Sequence, residues 1–232
     1  MIRPNKHTKI LLPYINLIKD KKLRELTIIT LNEAGEDLKQ PSSTSGMHHP
    51  EDELREYGIT VHLRKAVVVA LSALRRRSPK YYEENTVDIV LTATLLHDTP
   101  FRTYYDEKAG RYRTDKDHAI LNAEYVMSKG IELEIEGRIL WQIVSAIASH
   151  MGRWANYDHK KYERETEYIE EYHDSWDDPL IDAVVREADY FSSRSFISVA
   201  YSVDIAESLI DGIEKEYELE KEEEKTDERW SL

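Results

Sequence analysis

Residues 86–98 read TVDIVLTATLLHD, an almost unbroken apolar run that ends in a histidine and an aspartate. Thr99 and Pro100 follow, and a proline disfavours helical backbone at the residue before it, so the run is predicted to be a buried helix that ends there. Burial of the Asp98 carboxylate beside the His97 imidazole is unfavourable unless a positive charge neutralises it. A divalent metal would do so, with one nitrogen from His97 and two oxygens of Asp98 available to bridge two metals. The alternative is a helix cap or an ordinary hydrogen-bonded pair.

The sequence on both sides of this run predicts further helices and an all-α fold. Residues 60–76 (TVHLRKAVVVALSALRR) are rich in Val and Ala, but their length and flanking arginines favour a buried helix over a strand. The predicted helices cover 8–34 (one or two, with Pro13 at a start or kink and Gly35 as the stop), 60–76, 86–98, 117–128 (with Gly130 as the stop), 132–150 (with Gly152 as the stop) and a segment that begins at Asp178-Pro179 and passes through Asp189. Loops are predicted over 40–59 and 99–115, with a polar insert that runs to Trp176.

The domain organisation predicted from these elements is a single helical unit with additions at both ends. Residues 1–40 are expected to form N-terminal helices packed on the core, 41–200 the core itself, and 201–232 a charged C-terminal helix or tail. The chain has 232 residues, 41% of them hydrophobic, which is enough to bury a sizeable core.

Composition narrows the classes of function. The chain has no cysteine, so a metal site would depend on His, Asp and Glu. A formal net charge of -13 disfavours a broad duplex-DNA-binding surface, although a local basic patch beside a pocket remains possible. No apolar stretch has the length of a membrane-spanning helix, and the first residues lack the pattern of a signal peptide. We therefore expect a cytoplasmic protein without a membrane partner, which could form a homo-oligomer.

Seven of the nine histidines fall into two groups. His7, His159 and His173 lie in polar surroundings typical of solvated surface histidines. Four others lie on or beside predicted buried helices, where an imidazole needs a partner, and Asp189 lies on a further helix. Such a distribution, with one or two groups from each helix, is what a metal site in the core of a helical bundle requires. The four histidines are His62, His97, His118 and His150.

This series resembles the HD superfamily of metal-dependent phosphohydrolases. The segment GITVHLRKAV (58–67) resembles the family's first-histidine helix, and LTATLLHD (91–98) its HD helix. The later His, His and Asp segments are matched by DHAILNAEYV (117–126), IASHMGRW (147–154) and READYFSSR (186–194). Upstream, INLIKDKKLRELTIITL (15–31) and PSSTSGMHH (41–49) are similar to the HD part of bacterial 3′–5′ exoribonucleases and to small archaeal and phage-type HD proteins. The resemblance implies an HD-domain helical bundle with a metal site in its core.

The resemblance also implies how the metals would be shared among these residues. His62, His97, Asp98 and Asp189 would hold the first metal, Asp98 would bridge, and His118 and His150 would hold the second. Nitrogen-rich coordination without sulfur suits Mn, Fe, Co or Ni better than Mg. A metal-activated hydroxide would then attack phosphorus. The alternative for His118 and His150 is a helix cap or a surface histidine.

Several cations and histidines near the predicted ligands are candidates for binding the substrate. The family often has a lysine after HD-Ile-Gly, whereas this chain continues to Arg102, which could supply the cation; Lys65 lies on the same helix face as His62. The remaining candidates for phosphate binding are His48, His49, Arg153 and Arg194. For each arginine the alternative is a surface salt bridge. Three tyrosines between 104 and 112 could form a lid, stack a base or serve as packing anchors.

The sequence thus predicts a phosphohydrolase for a phosphorylated small molecule or an oligonucleotide. The reaction would cleave a phosphoester or phosphoanhydride bond of a nucleotide, cyclic nucleotide or short nucleic acid. The alternatives are a non-catalytic HD-type module that senses a nucleotide or binds a partner, and a helical protein whose histidines only cap helices.

Overall fold

The computed structural model describes residues 2–43, 46, 48–151 and 179–230, and its regular elements are mainly helices. Short 3-10 turns occur at Thr8–Ile10, Gly35–Lys39, Glu51–Glu53 and Pro79–Tyr81. The α-helices of the described ranges are α1 (Leu12–Ile15), α2 (Lys21–Ala34), α3 (Gly58–Arg75), α4 (Thr86–Leu96), α5 (His118–Glu132), α6 (Gly137–Ser149), α7 (Pro179–Ser192) and α8 (Val203–Trp230). Two short strands, β1 (Thr103–Asp106) and β2 (Arg111–Thr114), form a hairpin. The predicted all-α class is confirmed. The polar insert predicted after His150 includes Arg153. From position 152 to 178 it lies outside the residues that the structure describes.

Helix α4 is buried on all sides, which explains why its sequence has no polar face. It packs against α2, α3, α6 and α7, and every residue from Asp88 to Leu96 is buried. A fully buried Leu or Ile side chain stabilises the fold by about 1.5–3 kcal/mol, so this run fixes the position of α4 firmly. The C-terminal end of α4 therefore carries His97 and Asp98 into the interior of the molecule.

Helix α3 is the other central element. It packs against α4, α7 and α8, and small side chains such as Ala66, Ala70 and Ala73 on its buried face let these neighbours approach closely. The first turns of α8 cover part of this face with Ala206, Ile210 and Ile213, all buried. In the described part of the chain, no helix combines the length and apolarity needed to cross a membrane.

Helices α5 and α6 form a packed pair, and the end of α5 differs from the prediction. The helix continues through Gly130 to Glu132, so the predicted stop at this glycine is wrong. A Cβ at Gly130 would lie 2.2 Å from Leu140 Cδ1 of α6. The missing side chain therefore serves the contact between two helices rather than a helix end, a role that sequence alone does not distinguish.

The predicted tyrosine-rich loop over 99–115 contains the β1–β2 hairpin instead. Tyr105 pairs with Tyr112 across the strands, and their ring centroids are 5.3 Å apart. At the turn, Gly110 has a φ of 62°, and the Asp106 side chain accepts hydrogen bonds of 3.0 Å from the backbone N–H groups of Lys108 and Ala109. Aromatic and Thr residues favour strands, and glycine allows the positive φ of the turn.

Candidate metal centre

Six side chains from five helices or helix ends meet in the core of the bundle. His62 lies on α3, His97 is the C-cap of α4 and is followed directly by Asp98, and His118 is the first residue of α5. The remaining two are His150, the C-cap of α6, and Asp189 on α7. All four histidines and Asp98 are buried, whereas about a quarter of the Asp189 side chain (27%) is exposed. The structure thus brings together the six residues that the sequence predicted as ligands.

The first group of donor atoms surrounds the Nε2 atom of His62. This atom lies 3.2 Å from His97 Nε2, 3.5 Å from Asp98 Oδ2 and 3.4 Å from Asp189 Oδ1. His97 Nε2 lies 3.7 Å from each of the same two carboxylate oxygens. Two nitrogens and two oxygens at these separations could hold one metal ion.

The second group shares the Asp98 carboxylate but uses its other oxygen. Asp98 Oδ1 lies 3.1 Å from His118 Nε2 and 3.5 Å from His150 Nε2, and these three side chains could also hold a metal. The rings of His97 and His150 have centroids 4.9 Å apart, so the two groups are adjacent. Asp98 is therefore positioned between two groups of histidines, one facing each carboxylate oxygen.

The orientation of three of the histidines is fixed by a backbone carbonyl three residues earlier in the chain. The Nδ1 atoms of His97, His118 and His150 lie 2.7, 2.7 and 2.6 Å from the backbone carbonyls of Thr94, Asp115 and Ile147. A carbonyl can only accept, so Nδ1 of the neutral ring must carry the proton. The unprotonated Nε2 is then directed at the centre, which is the arrangement that metal-ligating histidines require.

The turn after His97 is held by a residue that we did not predict, Asn122 of α5. Its Nδ2 donates to the His97 carbonyl at 3.1 Å, and its Oδ1 accepts from the Phe101 N–H at 2.7 Å. The segment between these contacts includes a cis peptide bond at Thr99-Pro100. Asn122 is four residues after His118 and so lies on the same face of the helix, a spacing that could have identified it.

The charges of the centre favour a cation. Burial alone would raise the pKa of Asp98, but the Arg102 guanidinium and the His97 ring hold it well below its usual range. Burial opposes ionisation of Asp189 as well, yet hydrogen bonds to His62 and His97 keep its pKa low. Burial would lower the pKa of His62, whereas Asp189 and Glu53 raise it to about 9. A proton at His62 and a metal would compete for the same nitrogen, because a ligating imidazole is neutral.

Arg102 reaches the centre directly. Its Nη1 hydrogen-bonds Asp98 Oδ2, the oxygen that also faces His62 and His97. The Arg102 side chain is largely buried, and its Nε has no hydrogen-bond partner among the described residues. The prediction that this arginine supplies a cation beside the centre is consistent with its position, and its role in binding substrate stays a prediction.

The other residues predicted to act on the substrate lie at different places. The Lys65 ammonium contacts Asp52 at 2.7 Å and Glu53 at 3.1 Å, so it is paired with carboxylates behind His62. His49 Nδ1 lies 2.8 Å from Glu53 Oε2. The roles of Lys65 and His49 in binding the substrate stay predictions. Both side chains contact Glu53, a buried residue in the loop predicted over 40–59 that the sequence did not identify.

His48 and Arg194 lie near each other at the end of α7. The His48 carbonyl accepts a 2.7 Å hydrogen bond from the Ser195 N–H, and the His48 side chain is exposed. The Arg194 guanidinium stacks 4.1 Å above the Tyr190 ring. Neither side chain has a described contact with the six residues of the centre, and Arg153 lies outside the described residues.

The fold and the centre define a helical domain with a metal-site-like cluster of histidines and aspartates in its core. A family model described as the HD domain matches residues 62–194, more than half of the chain. The chain therefore belongs to the HD domain family, whose members are generally metal-dependent phosphohydrolases and bind divalent metals. Neither the curated proteins nor the solved structures gave a match.

Proposed function

We propose that this protein is a metal-dependent phosphohydrolase that uses two divalent transition metal ions. Its substrate is a nucleotide, a cyclic nucleotide or a short nucleic acid, in which it cleaves a phosphoester or phosphoanhydride bond. The observation that carries the proposal is the position of Asp98. Its Oδ2 lies 3.5 Å from His62 Nε2, and its Oδ1 lies 3.1 Å from His118 Nε2, so one carboxylate serves two separate groups of nitrogen donors.

The donor chemistry fits two transition metals. Four imidazoles and two ionised carboxylates, without any sulfur, suit Mn, Fe, Co or Ni. Burial of Asp98 without a compensating cation would be unfavourable, and the nearby Arg102 supplies only part of that compensation because Asp189 adds a second carboxylate. When bound, such metals polarise a phosphoryl oxygen and lower the pKa of water enough to provide hydroxide near neutral pH.

The residues of the chain would divide the remaining work. His62, His97 and Asp189 fix the first position and His118 and His150 the second, with each imidazole held in one orientation before substrate arrives. Arg102 would donate a hydrogen bond to a substrate phosphate, since its guanidinium lies at the edge of the centre against Asp98. A preorganised positive group at this place stabilises the negative charge that develops at phosphorus.

The test combines metal analysis with a substrate screen. Protein expressed in medium supplemented with Mn or Fe, and protein stripped with a chelator and reloaded with Mn, Fe, Co or Ni, is analysed for metal content. The same samples are assayed against nucleotides, dinucleotides, cyclic dinucleotides and short single strands. We expect about two metal ions per chain and release of phosphate or nucleotide products. Asp98→Ala should lose the bound metal and the product release. Asp211→Ala, at an exposed position of α8, should keep the metal content and the activity of the wild type.

Two results would contradict the proposal in different ways. Absence of bound metal under all loading conditions would remove its basis. Bound metal without turnover of any phosphate in the screen would favour the alternative, an HD-type module that senses a nucleotide or binds a partner. In that case a nucleotide should still raise the thermal unfolding midpoint of the loaded protein.

A further inference from the structure

A second group of buried polar side chains lies directly behind His62, on the side away from Asp98. At its centre is Glu53, whose side chain is fully buried (0% exposed). Its Oε1 accepts a hydrogen bond of 3.1 Å from the Lys65 ammonium. Its Oε2 lies 2.8 Å from His49 Nδ1, 3.0 Å from the Ser42 hydroxyl and 3.5 Å from His62 Nδ1. We call these residues, without His62, the Glu53 cluster.

The backbone holds Glu53 in this place by a close approach to the start of α3. The Ser42 N–H donates to the Glu53 carbonyl at 2.9 Å. A Cβ at Gly58 would lie only 1.9 Å from that carbonyl oxygen, so the approach is possible only because residue 58 is glycine. Four residues later on the same helix is His62, and the turn that carries Glu53 is thereby fixed against the helix that carries the histidine.

His62 differs from the other three histidines of the centre in what fixes its ring. Theirs are held by backbone carbonyls of their own chain segment, whereas Nδ1 of His62 faces a carboxylate and lies 3.3 Å from the Ser192 hydroxyl of α7. A carboxylate behind a ligating imidazole fixes its tautomer and makes the opposite nitrogen a stronger donor. The Glu53 carboxylate is in place to do this, since its Oε2 lies 3.5 Å from His62 Nδ1 and the Lys65 ammonium contacts its Oε1 at 3.1 Å.

We propose that Glu53 is a positioning residue that orients His62 and strengthens its bond to the first metal, with Lys65 balancing the buried charge. The inference rests on the proposed metal centre and goes beyond it, since it assigns a function to Glu53 and to the otherwise unexplained buried Lys65. It also gives Lys65 a role through Glu53 rather than through the substrate.

We assign these atoms a supporting role rather than a third metal site. His49, Glu53 and His62 lie close enough together to hold an ion, but the Lys65 ammonium already occupies one oxygen of Glu53 and also contacts Asp52. A cation added there would face this ammonium across the carboxylate. His62 would moreover have to coordinate through both ring nitrogens. The cluster is therefore suited to support a ligand rather than to hold an ion.

The test compares Glu53→Gln with Glu51→Gln, a change of the same kind in the same short turn. The Glu51 side chain is 84% exposed and pairs with Arg55, so it is the matched control. Metal-free protein is titrated with Co²⁺, and the dissociation constants and the visible absorption spectrum of the bound Co²⁺ are recorded. We expect Glu53→Gln to weaken one of the two Co²⁺ equivalents about 10- to 100-fold and to change its spectrum. The second Co²⁺ equivalent of Glu53→Gln should bind as in the wild type, and Glu51→Gln should leave both affinities unchanged. Glu53→Asp should restore part of the affinity that Glu53→Gln loses.

The results separate this inference from its alternatives. Equal Co²⁺ affinities for wild type and Glu53→Gln would overturn it, and so would equal weakening of both equivalents, which would indicate a general structural role. If Glu53→Gln fails to fold, Glu53→Gln combined with Lys65→Met keeps the cluster uncharged, and the same loss of one affinity is expected. Phosphate release is not part of this measurement, so a catalytically inactive wild type that binds Co²⁺ would contradict the proposed function and leave the inference to be decided by the titration.

Discussion

At the scale of single residues, Asp98 connects the chemistry of the centre with the end of one helix. The buried run of α4 places the residue in the core, and Asn122 holds the turn that follows His97. With the backbone in this position, Asp98 Oδ2 faces His62 and Asp98 Oδ1 faces His118. The shared carboxylate makes the two groups depend on one side chain, whereas each group also has histidines of its own.

This sharing predicts different metal contents for three alanine variants. His118→Ala should retain about one metal ion per chain, since the group of His62, His97, Asp98 and Asp189 is intact. His62→Ala should lose the ion that His118→Ala keeps, and Asp98→Ala should lose both. Elemental analysis of gel-filtered protein measures this, with circular dichroism to verify folding. Equal metal contents for His118→Ala and Asp98→Ala would argue against separate groups.

Arg102 offers a second prediction at this scale. Removal of its guanidinium should lower kcat/KM about 10- to 100-fold, because a hydrogen bond to a charged group contributes about 1.5–3 kcal/mol, while the metal content stays unchanged. The control is Arg113→Ala on the hairpin, a half-exposed arginine that pairs with Asp106 at 2.6 Å. If Arg102→Ala loses metal along with activity, the arginine supports Asp98 and does not act on the substrate.

The residues of the centre were predictable to different degrees. The four histidines and two aspartates stand out because polar groups next to apolar helices need partners, and the structure brings all six together. Glu53 gave no such signal, since it lies in a polar segment without periodicity and two of the groups it contacts, His62 and Lys65, lie on the following helix. Lys65 was predicted to lie on the His62 face, and its contact with Glu53 could not be inferred without the position of that loop.

At the scale of elements, helices with long periodic or apolar patterns were predicted well. The ends of the helices were predicted less accurately, because a glycine can either end a helix or make room for a neighbouring helix. Gly35 does end α2 and has a φ of 47°, whereas Gly130 lies inside α5 and makes room for Leu140. The hairpin was missed because its strands have four residues each, too few for an alternating pattern to be recognised.

Gly58 and Gly212 provide a matched test of close packing at two helices. Gly58→Ala should destabilise the protein by about 2 kcal/mol or more, since its Cβ would meet the backbone oxygen of Glu53, which cannot move alone. At Gly212 of α8 the nearest atom is Arg75 Cζ, 2.8 Å from an added Cβ, and this flexible side chain can move away. Gly212→Ala should therefore change the free energy of unfolding little, with up to about 1 kcal/mol gained from helix propensity. Urea unfolding compares the two, and similar losses would contradict the distinction.

Tyr82 stabilises the end of α3 in a way that depends on pH. Its buried hydroxyl donates to the carbonyls of Leu74 in the last turn and of Arg77 just beyond the helix. Burial, together with Glu216, raises the pKa of Tyr82 from 10.0 to about 12. Because the folded state holds this proton more tightly than the unfolded chain, the stabilisation is complete below about pH 10 and is lost as pH rises through about 12.

Tyr82→Phe should therefore lower the free energy of unfolding by about 1 kcal/mol near neutral pH, and this difference from wild type should shrink as pH approaches the pKa of about 12. Urea titrations at several alkaline pH values measure it. Tyr81→Phe is the control. The Tyr81 side chain is 61% exposed, so removal of its hydroxyl should have little effect on the free energy of unfolding at any pH. A difference that is constant or grows with pH would show that Tyr82 does not titrate as stated.

At the scale of the whole molecule, the centre and the fold depend on the same helices. The six residues come from α3, α4, α5, α6 and α7 or the residues that follow them, so their donor atoms are close together only when the bundle is assembled. In the metal-free protein, the buried carboxylate of Asp98 is paired with Arg102, and that of Asp189 faces His62, whose pKa is raised to about 9. Burial of these groups lowers the stability of the metal-free folded state, but it keeps the metal-binding donor atoms in fixed positions.

Metal binding should restore that stability, since the unfolded chain does not present these donors together. One ion at a free concentration of 100 times its dissociation constant stabilises the folded state by about 2.7 kcal/mol, and a domain of this size gains about 2–4 °C in Tm per kcal/mol. Each site should therefore contribute about 5–10 °C when Mn²⁺ is added to chelator-treated protein. Thermal unfolding followed by circular dichroism measures the shift, and Asp98→Ala, which lacks the shared carboxylate, should show almost none. A wild-type Tm that does not respond to Mn²⁺, Co²⁺ or Ni²⁺ would show that the assembled donors bind no transition metal in the folded protein.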